Sequence, residues 1–403
     1  MEFMPSTFKQ LGGKKRLSIL NWDYLQIISL GCLATAGLIF IHSIGVQIGS
    51  EAAAVFFEKQ IQWLCAGAVL WGVAAFVDVK SRLFFLLSIL FYMISVVLLF
   101  LVLVVGTEVF GATRWLSFAG FRLQPSELAK PALALILGVV FSQLSVNSWK
   151  GFLLGSALTV VPFLLILKEP DLGSAAILIP VYVGIVFVSK LRWKYVLLST
   201  VGALLIGGAA VANEAMKFKP LLKDYQRDRI MVFLNPERDR LHRGYNTYQA
   251  RIAVGSGSWT GKGIGNGTQN KLGFLPHTVS NNDFIFSVIA EETGFAGCTL
   301  LILSYLLLLA SVVRTAYLAG DPLGRSFAVG TGVVLFCHVF INIGMSIGIT
   351  PVTGLPLPMV SYGGSSLMTT MASMGLLQAI YRHRPQESRL ENDINQKNFT
   401  LQG

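Results

Sequence analysis

Charged residues are scarce in this 403-residue chain, where Asp, Glu, Lys and Arg together make up only 13%. Hydrophobic residues make up 53%, and the mean hydropathy is +0.63. Soluble globular domains carry about 25% charged residues. The composition therefore excludes an ordinary soluble domain and predicts an integral membrane protein.

Cysteine is also scarce, and common nucleotide motifs are missing. The four cysteines, Cys32, Cys65, Cys298 and Cys337, lie in apolar runs without CxxC spacing, which argues against a disulfide framework or a zinc site. The run GKGIGNG follows neither the GxxxxGK[ST] pattern nor GxGxxG between a strand and a helix. We therefore expect no nucleotide site there.

Long apolar runs are the dominant feature, and most are close to the ~20 residues that a helix needs to cross a bilayer. They cover residues 24–45, 61–77, 83–106, 127–146, 151–167, 172–189, 195–213, 284–310, 326–348 and 363–381. The first run lacks a small-residue cleavage site, so we expect it to be a retained span. The sequence predicts an all-α polytopic membrane protein with ten transmembrane helices.

The distribution of Lys and Arg predicts the orientation. With both termini cytoplasmic, the inside segments hold sixteen Lys or Arg and the short outside loops hold four. One integral membrane domain then comprises a tail over 1–20, helices 1–7 over 21–213, a large extracytoplasmic loop over 214–283, helices 8–10 over 284–382 and a tail over 383–403. The large loop has eleven Lys or Arg against six Asp or Glu.

Two short motifs place charges at predicted helix starts. In QPSELAK, Glu127 and Lys130 are three residues apart and share a helix face, so they are expected to pair inside a protein-lined cavity. The alternative is a self-neutralising pair near the interface, with Lys130 snorkelling outward. In KEPDLGSAA, Asp171 is best interpreted as a helix N-cap.

The large loop is rich in arginine, including Arg227 and Arg229. Cationic groups at an outer membrane surface suit lipid phosphates or diphosphates, and attraction to anionic headgroups is the simpler alternative. Nucleic acid is not expected as a partner, because this face lies outside the cell.

Three carboxylates occur at or inside the eighth predicted span, where an ionisable residue is by default a candidate functional group. Asp283 lies at the rim, while Glu291 and Glu292 follow two turns later, about 80° and 180° around the helix. One of the two glutamates is expected to pair with a buried cation or to stay protonated. For Asp283, a plain N-cap is the alternative to a functional role.

Together these stretches resemble the SEDS family of bacterial membrane proteins (shape, elongation, division and sporulation). The matching motifs run through nearly the whole chain, in the order QPSELAKPA, PDLGSA, YQRDRIMVFLNPE, GYNTYQARIAVGSG, GKGIGNGTQNKLGFLP, DFIFSVIAEETG and FINIGMSIGITPVTGLPLPMVSYGGSS. The loop resembles the RodA, or elongation, branch more than the division branch. The chain departs from the family pattern in the six residues HTVSNN between Pro276 and Asp283.

The resemblance implies a glycosyltransferase that polymerises lipid II into glycan strands at the outer face of the bacterial cytoplasmic membrane, beside a class B penicillin-binding protein. It implies that Asp283 is catalytic and that Glu127 and Lys130 line a nearby cavity. Inversion at the anomeric carbon needs one base, which we assign to Asp283, and the leaving diphosphate needs cationic groups. The predicted substrate contacts are Glu127, Lys130, Asp171, Arg227, Arg229, Gln249, Lys262 and Ser361.

A divalent cation such as Mg²⁺ at Asp283 is the alternative to direct proton transfer, although the sequence shows no dedicated metal cage. In that version Asp283 orients the metal and the acceptor instead of taking the proton itself. The other expected partners are the growing glycan strand and membrane lipids. A lipid II flippase is the alternative function, although no inverted repeat supports it. A scaffold that only positions the penicillin-binding protein is a weaker third possibility.

Overall fold

The computed structural model describes residues 21–48, 51–109, 112–118, 121–143, 149–189, 191, 193–202, 205, 227, 229, 231–233 and 244–385. The helices before the large loop are α1 (Tyr24–Ile48), α2 (Glu51–Ala75), α3 (Arg82–Val105), α4 (Pro125–Gln143), α5 (Trp149–Lys168) and α6 (Leu172–Val188). Those that follow are α7 (Tyr245–Ser256), α8 (Thr268–Lys271), α9 (His277–Ser280), α10 (Ile285–Leu318), α11 (Pro322–Ile347) and α12 (Gly364–Arg382). Residues 193–202 are helical as well.

Six of the described helices, α1, α3, α4, α5, α10 and α11, are long and apolar enough to cross a membrane, and α6 is a shorter apolar helix. Large apolar side chains such as Leu83, Val97 and Val104 on α3 are more than half exposed. Exposed apolar surface of this kind is expected where a helix meets lipid. The chain is therefore a multi-pass membrane protein. Nearly all of both predicted tails, about half of the seventh predicted span and much of the large loop lie outside the described residues.

Helix α4 is the centre of the bundle. It packs against α3, α5, α6 and α11, and its side chains from Pro125 to Phe141 are mostly buried. Around it, α2 packs against α12, and α10 packs against α1 and α11. This arrangement buries Glu127 and Lys130 in the first turns of α4, among helices rather than at a lipid-facing surface.

The all-α expectation misses one small sheet. Between α3 and α4, strands β1 (Thr107–Val109), β2 (Ala112–Phe118) and β3 (Phe121–Leu123) form an antiparallel sheet in the order β1-β2-β3. The run TRWLSF within β2 is rich in aromatic and β-branched residues, which favour strands. A strand of seven residues is much shorter than the apolar runs that predict membrane-spanning helices, so run length alone does not reveal it.

Helix α10 is longer than the predicted span and is interrupted at Gly294, where φ is 63° and ψ is −160°. A non-glycine residue rarely adopts such a conformation. The interruption frees backbone groups that an intact helix would pair internally, and the loop after α7 satisfies them. The bonds are Lys262 N to Glu291 O (3.0 Å), Gly263 N to Glu292 O (2.9 Å), Phe295 N to Ser258 O (2.9 Å) and Ala296 N to Trp259 O (3.1 Å).

The interruption separates two environments. Almost every residue from Ile285 to Gly294 is buried, whereas exposed apolar side chains recur along α10 from Phe295 onward. The first segment of α10 is thus an interior half-helix that starts beside Asp283. The second segment is the part with a lipid-facing side.

Candidate functional site

Asp283 lies in the turn between α9 and α10, and its backbone is held from two directions. Asn342 of α11 donates its side-chain amide to the Asp283 carbonyl at 2.9 Å. The Ser361 hydroxyl donates to the carbonyl of Asn282 at 2.6 Å. The turn that carries the carboxylate is therefore fixed by residues about 60 and 80 positions away in the sequence.

The plain N-cap interpretation of Asp283 is wrong. Phe284 occupies the N-cap position of α10, and no side-chain bond caps the helix there. The six residues HTVSNN form the short helix α9 and the turn after it, in which the Asp283 amide donates to the Val279 carbonyl at 3.0 Å. The carboxylate of Asp283 is thus left for other partners.

The charges around Asp283 have both signs. Arg229 and Arg114 lie close enough to stabilise its carboxylate, while Asp171 opposes ionisation. Burial is the largest effect, and it raises the pKa of Asp283 to about 6. A carboxyl group with this pKa is mostly ionised at neutral pH yet binds a proton more readily than an exposed aspartate.

The two arginines are anchored to backbone carbonyls. Arg229 donates to the Thr353 carbonyl at 3.1 Å, and Arg114, from β2, donates to the Glu169 carbonyl at 3.2 Å and to the Pro170 carbonyl. Segment 351–360 also approaches the carboxylate, since a β-carbon at Gly354 would lie 3.4 Å from Asp283 Oδ2. Backbone carbonyls therefore anchor both cations in the surroundings of Asp283.

Asp171 caps α6 as predicted, because its side chain accepts from the Ser174 amide at 3.1 Å. Its second oxygen accepts from Gln124 Nε2 at 3.3 Å and from the Ser126 hydroxyl at 3.4 Å. Asp171 therefore links the start of α6 to the start of α4, and it contributes a negative charge to the surroundings of Asp283.

Glu127 and Lys130 form the predicted ion pair, with Lys130 Nζ 2.7 Å from Glu127 Oε1. Lys130 is only 1% exposed, so the interpretation as a snorkelling interfacial residue is wrong. The same nitrogen lies 2.8 Å from Nε2 of His338 on α11. The His338 Nδ1 atom is 3.0 Å from the Pro356 carbonyl.

This triad lines a cavity with an empty volume of about 460 Å³ including its mouth. The other lining groups include hydroxyls of α11 and α12, among them Thr331, Thr370 and Ser373. The cavity thus combines one buried ammonium, one buried carboxylate and several hydroxyl groups in the interior of the helix bundle.

Lys262 and the two glutamates form a separate cluster at the interruption in α10. Lys262 Nζ lies 2.6 Å from Glu291 Oε1, which also accepts from the Thr268 amide and hydroxyl. Glu292 accepts from the Ser43 hydroxyl at 2.7 Å and from the Gln47 amide. Glu291 pairs with a cation as predicted for one of the glutamates, but this cation, Lys262, is 28% exposed and not buried. The structure does not bring Lys262 together with Asp283.

The three remaining predicted substrate contacts, Arg227, Gln249 and Ser361, differ in how deeply they are buried. Arg227 and Gln249 are both half-buried, the latter on α7. Ser361 is 4% exposed, and its hydroxyl also accepts from the Leu357 amide at 2.8 Å. Ser361 therefore supports the turn through its bond to Asn282, the residue before Asp283, rather than facing open space.

Sequence reasoning missed three residues of this site: Arg114, His338 and Asn342. The signal for the last two was available, because an imidazole and an amide inside the apolar run FCHVFINIGM are as unusual as the carboxylates that drew attention. Arg114 lay in a loop without predicted structure, and only its contact with the Glu169 turn reveals its position.

The chain is similar to known proteins along most of its length. Residues 23–386 match the model of the FtsW, RodA and SpoVE family, described as a cell cycle protein. The peptidoglycan glycosyltransferase MrdB of Escherichia coli K12 is 37% identical over 380 residues, which are 91% of this chain and 97% of that protein. The peptidoglycan glycosyltransferase RodA of Treponema pallidum is 31% identical over 432 aligned positions, covering 90% and 98%.

Solved structures show the same likeness. A chain from a study of how a peptidoglycan synthase complex coordinates polymerisation and crosslinking superimposes with a TM-score of 0.74 at 33% identity, covering 91% of this chain and 99% of that one. The rod shape determining protein RodA of Thermus thermophilus gives 0.66 at 29% identity with the same coverage. The chain therefore belongs to the FtsW, RodA and SpoVE family of cell cycle proteins.

Proposed function

We propose that the chain is a peptidoglycan glycosyltransferase that polymerises lipid II into glycan strands during cell elongation, with Asp283 as its base. The relatives MrdB and RodA carry the name of this activity. The observation that carries the assignment of the base is the position of Asp283. Its half-buried carboxylate does not cap the helix that follows, and two arginines and a second carboxylate lie in its surroundings.

The proposed reaction is a single displacement at the anomeric carbon of the lipid-diphosphate-linked sugar. The 4-hydroxyl of the acceptor attacks, and Asp283 accepts its proton as the new glycosidic bond forms. A base with a pKa of about 6 is ionised at neutral pH and still has appreciable affinity for the proton. The bond to the diphosphate breaks with inversion, so one carboxylate is enough.

The leaving diphosphate departs as an anion and needs positive charge rather than a proton donor. In our proposal Arg229 and Arg114 supply this charge beside Asp283, and Lys130 supplies it in the cavity. Glu127 holds Lys130 in place through their 2.7 Å ion pair. Guanidinium groups suit this task, because their planar donor pattern matches phosphate oxygens.

The other predicted substrate contacts receive weaker support. Arg227 and Gln249 belong to the matched loop motifs and remain candidate contacts with the sugar or the diphosphate. Asp171 and Ser361 are more simply explained as residues that hold α6 and the Asp283 turn. We assign Lys262 to the anchor at Glu291 instead of the diphosphate.

A divalent cation at Asp283 stays a prediction. Within the described residues, no group of three or more His, Cys, Asp or Glu side chains is arranged to hold a metal ion. The charges nearest to Asp283 that favour its ionised form are guanidinium groups. The proposed mechanism contains no step through a metal ion.

The proposal includes the location of the chemistry. Ten helices cross the bacterial cytoplasmic membrane with both termini in the cytoplasm, and residues 214–283 face outward, as the excess of Lys and Arg in the inside segments favours. Asp283 then lies at the outer surface, where a lipid-linked sugar can reach it together with water and the growing strand.

A class B penicillin-binding protein is the proposed partner. The structural relative with a TM-score of 0.74 comes from a complex in which polymerisation and crosslinking are coordinated. A polymerase that releases glycan at the outer membrane surface would supply the substrate of such a crosslinking enzyme directly.

The experiment gives lipid II in detergent to the purified protein together with its partner, and glycan polymer is separated on a gel. We expect polymer from the native chain and none from Asp283→Ala or Asp283→Asn. Undiminished polymer from these variants would refute Asp283 as the base. If the native chain makes no polymer but moves lipid II across vesicles, and Asp283→Asn retains part of that transport, the chain is a flippase; a scaffold would show neither activity.

A further inference from the structure

His338 is a buried side chain to which the proposed reaction assigns no role. It is 2% exposed, in the middle of α11, and its two ring nitrogens have different partners. Nε2 lies 2.8 Å from Lys130 Nζ, and Nδ1 lies 3.0 Å from the carbonyl of Pro356. The ring therefore bridges the cavity lysine and segment 351–360.

The partners determine which atoms carry protons. A carbonyl oxygen only accepts, so Nδ1 of His338 must carry a hydrogen and donate it to Pro356. An ammonium group only donates, so Nε2 must offer a lone pair to Lys130. This tautomer is assigned from the hydrogen-bond network, and it makes His338 a neutral acceptor for the lysine.

The bonds to Glu127 and His338 fix the orientation of the Lys130 ammonium group. An ammonium group has three N–H donors, and within the described part of the chain two of them go to Glu127 and His338. The third is left for the cavity, whose lining includes all three residues. Without His338, the ammonium could rotate about its long stem and lose this orientation.

The same face of α11 also holds the catalytic turn. Asn342 lies one helical turn after His338 and donates to Asp283 O at 2.9 Å and to Leu355 O at 2.8 Å. The neighbouring carbonyl, that of Pro356, receives the His338 bond. Segment 351–360 is thus attached to α11 at two adjacent peptide groups, one associated with Lys130 and the other with Asp283.

We propose that His338 is a positioning residue that orients the Lys130 ammonium towards the cavity. Through its bond to segment 351–360 it also keeps the ammonium at a fixed position relative to Asp283. This inference rests on the proposed function, because it assigns a purpose to the Lys130 charge. It adds a residue that acts through Lys130, without contact between His338 and the reacting atoms.

Three substitutions separate the two bonds of His338. Gln places an amide oxygen near the position of Nε2 and can still accept from Lys130, whereas Asn places its amide near Nδ1 and retains only the bond to Pro356. Leu removes both bonds at similar volume. A matched control is His42→Gln on α1, where an exposed imidazole packs against the edge of Phe57.

Polymerisation of lipid II is measured for each full-length variant together with its partner, and kcat and KM are determined separately. Loss of a charged hydrogen bond predicts a kcat lower by about tenfold to a hundredfold in His338→Leu and His338→Asn. We expect a smaller change in KM, substantial rescue in His338→Gln and no effect in His42→Gln. Equal activity of the Gln and Leu variants, or native kcat in His338→Leu, would overturn the inference.

A spectroscopic measurement gives an independent answer, even where a variant folds poorly. In the native chain with ¹⁵N-labelled histidine, the signal that disappears in His338→Gln should be that of a neutral ring protonated at Nδ1. It should shift in Lys130→Met, and a ring protonated at Nε2 would contradict the proposal. If Lys130→Met polymerises like the native chain, the role of Lys130 in the proposed function fails; if only His338→Leu is native-like, the inference alone fails.

Discussion

The side-chain amide of Asn342 donates to the backbone carbonyl of Asp283 at 2.9 Å, and it also donates to Leu355 at 2.8 Å. One fully buried amide on α11 therefore holds both the turn that carries the carboxylate and the segment packed against it. An apolar residue at this position would leave two carbonyls in the interior without their donor.

Asn342→Leu should therefore lower both stability and polymerisation. Leaving buried acceptors unsatisfied costs about 1–3 kcal/mol, and the same change releases Asp283 from its position. Thermal unfolding in detergent and the polymer gel measure the two effects. Phe340→Leu, at a half-exposed site on the same helix, is the control; native activity in Asn342→Leu would show that this bond does not position Asp283.

The acidity of Asp283 predicts a pH dependence of the reaction. The proposed base must be ionised to act, so with the pKa of Asp283 at about 6 the rate is expected to fall as the pH drops through about 6. Arg229 favours the ionised form, so Arg229→Gln should raise the pKa and move this fall to higher pH. The measurement is kcat/KM against pH for each protein.

The control for this profile is Arg325→Gln, since Arg325 lies near the start of α11, far along the helix from Asn342, and donates to the Ala319 carbonyl. It should leave the position of the acidic limb unchanged. An acidic limb that stays in place in Arg229→Gln, or moves to lower pH, would show that Arg229 does not act on the ionisation of the base.

The attachment between the loop and the interrupted helix predicts a strong effect at Gly261. Its φ is +76°, and an added β-carbon would lie 2.1 Å from the Glu292 carbonyl oxygen, a backbone atom that cannot move aside easily. Gly261→Ala should prevent the loop from reaching the interruption in α10, which lowers the melting temperature and the yield of folded protein. Gly255→Ala, in α7 with nothing within 4 Å of its β-carbon, should be neutral or stabilising.

The sequence was informative wherever a feature is local. Apolar run length predicted the long helices, the spacing of Glu127 and Lys130 predicted their pair, and the position of Asp171 before an apolar run predicted a cap. Features that depend on distant contacts were not accessible in this way. His338 meets Lys130 across 208 positions, and the interruption at Gly294 makes sense only once the loop at 258–263 is seen to supply its hydrogen bonds.

Lys262 is the residue for which sequence and structure suggest different roles. From the sequence it is a candidate ligand of the diphosphate, whereas in the structure its ammonium lies 2.6 Å from the buried carboxylate of Glu291. The same carboxylate accepts from the Thr268 amide at 2.9 Å and from its hydroxyl at 2.8 Å. Together these bonds fasten the loop to the interior half-helix of α10.

Lys262→Met distinguishes the two roles. If Lys262 anchors the loop, its loss leaves Glu291 as a buried carboxylate without its cation, a change that costs about 3–5 kcal/mol where a pair is fully buried and less here, because Lys262 is 28% exposed. The melting temperature should then fall, and Glu291→Gln added to Lys262→Met should restore part of it, since the unpaired charge is gone.

Lys271→Met, at an exposed lysine of the same loop, should change neither stability nor activity. A lower kcat in Lys262→Met with an unchanged melting temperature would instead return Lys262 to the diphosphate site.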